Sequence, residues 1–133
     1  MPTDDEVVKL VQEAVRQYAS DIQHMSPNTR PVITLSNAPP KVEIVSVMEG
    51  GSMPESIRLA HESAPRLAKR WAVCVETWDG YVTTADGERT DAILVNYWMN
   101  GLGPIFFIQR YKLDPFRWYG SALAGEDAAY LKT

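Results

Sequence analysis

Three stretches rich in β-branched and aromatic residues follow one another in the second half of the chain: AVCVETW (72–78), DAILVNYWM (91–99) and IFFIQRYKL (105–113). Turn-forming residues separate them, Asp86-Gly87 before the second and Asn100-Gly101-Leu102-Gly103 before the third. Strands joined by short turns pair with their neighbours in sequence, so we predict an antiparallel meander. The middle stretch is apolar on both faces, which indicates a central strand that is covered on two sides or used as an interface.

The turn at Asp86-Gly87 also predicts the register of the first hairpin. If this turn has two residues, Ala85 faces Glu88 and Tyr81 faces Ala92.

The first half of the chain predicts a helix followed by two strands. Thr3 and Glu6 have the capping-box spacing, and apolar residues then recur every three or four positions, so we expect a helix that ends near His24. The segments 32–36 and 41–47 are short and rich in β-branched residues, and they predict two strands joined by a turn.

A second helix is predicted to begin after Ser52, which stands three residues before Glu55 in another capping-box arrangement. Apolar residues continue at helical spacing as far as Trp71. Pro65 interrupts this pattern, because a proline removes a backbone donor and pushes against the preceding turn. We therefore expect a kink or break near residues 62–63.

These elements predict one α+β domain over residues 1–133, in the order α-β-β-α-β-β-β. The expected sheet is mainly antiparallel with about five strands, and both helices pack on one face of it. Residues 114–133 are expected to form an irregular or short-helical C-terminal tail.

Composition restricts the partners and the compartment. The chain has 17 acidic and 13 basic residues, a net charge of −4, so we expect neither nucleic acid nor an anionic membrane surface as its main partner. Purely apolar runs do not exceed four residues, which predicts a soluble chain without a membrane span. A single cysteine, Cys74, and an acidic N-terminus without a signal-peptide pattern predict a cytoplasmic protein.

No catalytic, cofactor or metal motif is recognisable. His24 and His61 are interpreted as capping or surface residues, and Cys74 as a thiol made inert by burial. Five acidic residues crowd the first hairpin of the meander, and they suggest either a divalent-cation site or, as we favour, a solvated charged hairpin: Glu76, Asp79, Asp86, Glu88 and Asp91.

The C-terminal segment carries the most suggestive side chains for binding: Phe116, Arg117, Trp118 and Tyr119. Aromatic and arginine residues are enriched in protein interfaces, and they also stack on planar ligands. A third interpretation is that the aromatic rings close the sheet by packing on it.

The sequence therefore predicts binding or assembly rather than catalysis. We expect a protein-protein interaction module that self-associates through the sheet or the C-terminal aromatic surface. The alternative is an enzyme or small-molecule-binding protein with a pocket between the helices and the sheet, built from residues distant in sequence.

Overall fold

The computed structural model describes residues 2–25, 29–84 and 86–124. In chain order the elements of these residues are α1 (Asp4–Met25), β1 (Val32–Ser36), β2 (Ile44–Val47), α2 (Met53–Ala68), β3 (Val73–Thr83), β4 (Arg89–Met99), β5 (Leu102–Lys112), β6 (Arg117–Trp118) and β7 (Leu123–Ala124). The predicted α+β class and element order are confirmed. Neither helix in this part of the chain combines the length and apolar character needed to cross a bilayer.

The strands form one antiparallel sheet in the order β2-β1-β3-β4-β5-β6, and β7 also pairs with β5. Strands β3, β4 and β5 are consecutive neighbours, so the predicted meander is confirmed. Strand β4 lies inside the sheet, as its apolar faces predicted. The tail predicted over 114–133 contributes two short strands, β6 and β7, within its described part, and residues 125–133 lie outside the described residues.

The prediction that both helices pack on one face is wrong, because they lie on opposite faces of the sheet. Successive side chains of a strand point to opposite faces. In β3, Val73 and Val75 pack in the core beneath α1, whereas Cys74 packs with Ala64 and Ala68 of α2. A central strand that is apolar on both sides needs a cover on each side, and one helix supplies each cover.

Small residues let α2 approach the sheet closely. Ala60, Ala64 and Ala68 are buried at four-residue spacing along one side of the helix. The Cys74 thiol lies 3.5 Å from the Ala64 carbonyl and donates to it. The break expected from Pro65 is absent, since α2 runs continuously from Met53 to Ala68.

Both predicted helix starts carry hydrogen bonds of the capping-box type. In α1, the Thr3 amide donates to the Glu6 carboxylate at 2.9 Å, and the Glu6 amide donates to the Thr3 hydroxyl at 3.2 Å. At α2, the Glu55 amide donates to the Ser52 hydroxyl at 3.3 Å. Helix α1 ends at Met25, one residue beyond the predicted end.

The predicted register of the first hairpin is wrong by one residue. Tyr81 pairs with Asp91, and Gly80 pairs with Ala92. The Thr84 amide donates to the Glu88 carbonyl at 2.8 Å, so the turn holds three residues rather than two. Gly87 has φ +89°, the left-handed conformation that ends a three-residue hairpin loop.

Replacing Ala64 with leucine is expected to lower the free energy of unfolding by about 1–3 kcal/mol, because the larger side chain has no room beneath α2. Urea unfolding measures the change. Glu62→Leu, on the exposed side of the same helix, is the matched control and is expected to stay within about 0.5 kcal/mol of the parent. Equal effects of the two substitutions would contradict the close contact of α2 with the sheet.

Candidate functional site

The structure divides the four aromatic-segment residues between the two faces of the sheet. Phe116 and Trp118 lie on the side of α1, where the Phe116 ring stacks on Tyr111 with centroids 5.2 Å apart. The Trp118 ring meets Phe116 edge to face at 5.1 Å and keeps 44% of its surface exposed. Phe116 thus packs against the core beneath α1, and Trp118 lies at the surface.

Arg117 and Tyr119 belong to the other side of the same segment. Arg117 pairs with Lys112 across β5 and β6 and is exposed. The Lys112 ammonium lies 4.3 Å from the centre of the Tyr119 ring, and the Arg110 guanidinium lies 4.9 Å from it. These cations hold Tyr119 against β5 by cation–π attraction. The four predicted residues therefore do not form a single binding surface.

Trp118 forms one wall of an apolar groove between α1 and β5. The groove has a volume of about 510 Å³. Exposed apolar side chains of Val8 and Ile105 stand at its rim, and Phe107 contributes to its lining. Arg16 also lines it but is bonded to Glu13 on the same helix, so it brings no unpaired charge.

Strand β2 forms a second apolar surface, at the opposite edge of the sheet. It pairs with β1 on one side, and no strand of the described residues pairs with its other side. Ile44, Val45 and Val47 are all exposed, and Val45 keeps 52% of its surface accessible. An uncovered edge strand with exposed apolar side chains can pair with a strand of another chain.

A third site lies on the opposite face from α1 and was not predicted. Glu76, in the middle of β3, is fully buried. The His61 Nδ1 of α2 lies 2.5 Å from its Oε2, and the Asn96 amide of β4 donates to its Oε1 at 3.2 Å. The prediction that Glu76 belongs to a solvated hairpin is wrong, because this side chain is fully buried. His61 lies at the surface as predicted, but it also contacts Glu76, and the two form a dyad.

Aromatic rings surround this dyad. The Trp78 ring lies edge to face on His61, with centroids 4.7 Å apart, and Phe106 stands 6.3 Å beyond Trp78. Together with Trp98 and Pro104 they line an open cleft of about 480 Å³. The only sequence signal for the site was alternation, which puts Glu76 on the same face as Cys74 and Trp78.

The acidic hairpin does not bring its carboxylates together. Alternation along β3 points Glu76 toward α2 and Asp79 toward α1. Within the described residues, no three His, Cys, Asp or Glu side chains cluster closely enough to hold a metal ion.

Burial raises the pKa of two groups near these sites, Cys74 and Asp79. Burial raises the pKa of the Cys74 thiol to about 12, and the neighbouring Glu76 charge adds to the effect. This agrees with the predicted inert thiol. On the α1 side, burial raises the pKa of Asp79, although Tyr111 donates a 2.5 Å hydrogen bond to its carboxylate.

Asp79 is expected to make the protein less stable as pH rises. Its folded-state pKa lies above the ordinary value of 3.8, so the folded state binds more protons than the unfolded state. Its contribution to stability is therefore fully present below pH 3.8 and falls as pH rises through the folded-state pKa. Urea unfolding over this pH range measures the loss. Asp79→Asn is expected to remove this part of the pH dependence, and an unchanged profile would contradict it.

Phe116→Ala is expected to lower the free energy of unfolding by about 2–3 kcal/mol, because its half-buried ring packs in the core. Trp118→Ala is expected to cost about 1 kcal/mol or less, since its exposed ring leaves little cavity. Chemical denaturation of both variants measures the difference. A larger loss for Trp118→Ala would place that ring in the core instead.

The chain matches no protein-family model, no curated protein and no solved structure. Its function must therefore be argued from the arrangement of its own side chains.

Proposed function

We propose that the protein is an interaction module that assembles with a second copy of itself by pairing β2 to β2. The observation that carries the proposal is the unpaired outer edge of β2 with its exposed apolar side chains. Pairing would satisfy main-chain groups and cover apolar surface in one step. A dimer with two-fold symmetry uses the same patch on both copies, which an antiparallel strand pair provides.

The hydrogen bonds of β2 support a particular register. The Met48 amide donates to the Pro31 carbonyl at 2.8 Å, so the main chain of Met48 points toward β1. Main-chain groups alternate in direction along an antiparallel strand. The amides and carbonyls of Val45 and Val47 therefore point outward, where a second strand could receive them.

Charge complementarity favours a two-fold axis at Val45. Lys41 precedes Val45 by four residues and Glu49 follows it by four, and both are exposed. In an antiparallel pair centred on Val45, the turn that contains Lys41 of one copy and the segment that contains Glu49 of the other lie near the same end of the pair. It also places the two Val45 residues in a hydrogen-bonded pair, in keeping with their outward main chain.

The groove beside Trp118 is a poorer surface for self-association. In a dimer with two-fold symmetry, the groove of one copy would face the groove of the other. Two concave surfaces do not fit together, so the groove would need a convex surface from another part of a partner. Phe116, which sequence analysis grouped with Trp118, is committed to the core. The sheet edge is therefore the proposed assembly surface, rather than the aromatic surface.

A cytoplasmic location is part of the proposal, and the single, buried cysteine supports it.

Val45→Lys is expected to convert the dimer into a monomer, because it places two like charges at the two-fold axis. Sedimentation equilibrium at micromolar concentration should give twice the 14.9 kDa chain mass for the parent and that mass for the variant. Val8→Lys, at an equally exposed apolar position beside the groove, is the matched control and should remain dimeric. A monomeric parent would refute self-association, and loss of the dimer only in Val8→Lys would move the interface to the groove.

The register has its own test in a charge exchange. Lys41→Glu and Glu49→Lys are each expected to weaken the dimer at low ionic strength, because each brings like charges near one another. The double variant restores opposite charges and is expected to recover the parent dissociation constant. Additive weakening in the double variant would exclude a pair centred on Val45.

A further inference from the structure

We propose that the cleft between α2 and the middle of the sheet binds an aromatic ring that carries an O–H or N–H group and no negative charge. The His61 Nε2 would accept the hydrogen bond from this group. The site lies on the α2 face of the sheet, and its occupation does not depend on the pairing of β2.

The dyad fixes the orientation of the histidine. A carboxylate only accepts hydrogen bonds, so the Nδ1 that lies 2.5 Å from Glu76 carries the proton that it donates. When Nδ1 carries the only ring proton, Nε2 keeps an unshared electron pair, on the far side of the ring from Glu76. The His61 side chain is 44% exposed and the Glu76 side chain 1%. The accessible part of the dyad is therefore the imidazole, which lines the cleft.

Burying Glu76 costs free energy, and its hydrogen bonds with His61 and Asn96 reduce this cost. A buried carboxylate is strongly unfavourable unless hydrogen bonds replace its water. Asn96, directly opposite Glu76 in the register of β3 and β4, occupies the second oxygen. The edge-to-face contact with Trp78 holds the imidazole from another side. The histidine is thus positioned before any ligand arrives, which reduces the entropy lost on binding.

The walls of the cleft favour a planar, apolar ring. Trp78, Trp98 and Phe106 contribute aromatic side chains, and the cleft of about 480 Å³ is open to solvent with room for a single ring. Gly103 stands beside Trp98 with φ +137°. A Cβ at this position would lie 2.9 Å from the Tyr97 carbonyl oxygen and 3.1 Å from the Trp98 ring. Glycine thus lets the chain pass close to the indole that lines the cleft.

The side chains of the cleft disfavour anions. Its lining contains neither lysine nor arginine, and its one carboxylate is the buried Glu76. A phosphate or carboxylate ligand would find no lysine or arginine there and would face the Glu76 carboxyl group. A neutral or cationic ring is compatible with both the carboxylate and the aromatic walls.

Three small probes test the ligand class. Phenol has the ring and the O–H group, anisole replaces the O–H with O–CH₃, and benzoate carries a negative charge. Titrations followed by the indole N–H signals of Trp78 and Trp98 in NMR spectra give the dissociation constants. We expect phenol to bind saturably and about tenfold more tightly than anisole, since the lost hydrogen bond leaves the acceptor unpaired. Benzoate is expected to bind most weakly.

Two variants test the dyad. His61→Lys removes the Nε2 acceptor and supplies an ammonium group that can donate to Glu76 but accepts no hydrogen bond, so it should abolish the preference for phenol over anisole. Glu76→Gln can donate to Nδ1, which moves the ring proton to Nε2. Phenol and anisole should then bind about equally well, although the side-chain shape is nearly unchanged. If Glu76 had a purely structural role, Glu76→Gln would weaken the binding of phenol and of anisole to the same extent.

His24→Lys is the matched control. His24 is the other histidine of the chain, exposed on α1, and its Nδ1 lies 2.7 Å from the Ser20 carbonyl. This variant should keep the parent preference. Equal affinity of the parent for phenol and anisole, tighter binding of benzoate, or an unchanged preference in a folded His61→Lys variant would each overturn the proposal.

Discussion

The requirement to cover both faces of β4 governs the architecture. Ile93 and Val95 point to one side of this strand, and Leu94 and Trp98 point to the other. Each Å² of apolar surface left in water costs roughly 25 cal/mol, so a single layer of helices would leave a large penalty on the opposite side. One helix on each face removes it. The placement of α1, the placement of α2 and the internal position of β4 all follow from this constraint.

The two helices cover their faces unequally, and the candidate sites lie where the coverage ends. Helix α1 has 22 residues and buries eight of them, whereas α2 has 16 and buries four small ones. Beyond α2, the sheet carries its own cluster of side chains around Leu94 and Ile108. The aromatic cleft lies at this boundary. The groove beside Trp118 lies in the same way along the margin of α1.

The core also contains charged groups on both faces of β3. Glu76 is paired with His61 and Asn96 beneath α2, and Asp79 accepts from Tyr111 beneath α1. Apolar residues at these positions would avoid the cost of burying a carboxylate. The dyad includes a partly exposed imidazole that lines a cleft, whereas the Asp79–Tyr111 pair joins two strands of the sheet. The His61–Glu76 dyad can therefore take part in binding, whereas the Asp79–Tyr111 pair affects only the pH dependence of stability.

Local sequence patterns determined the elements themselves. Alternating apolar residues, capping boxes and turn glycines act over a few residues, so the helix starts and the meander could be predicted. Tertiary packing decided most of the rest. The side of the sheet on which each helix packs and the division of Phe116 from Tyr119 depend on contacts between distant segments. The three-residue turn before Glu88 is instead held by local hydrogen bonds among Thr84, Asp86 and Glu88, which the Asp-Gly pattern did not distinguish from a two-residue turn. The His61–Glu76 dyad joins residues 15 apart on a helix and a strand. No local pattern encodes it, because the hydrogen bond exists only after α2 has packed on β3.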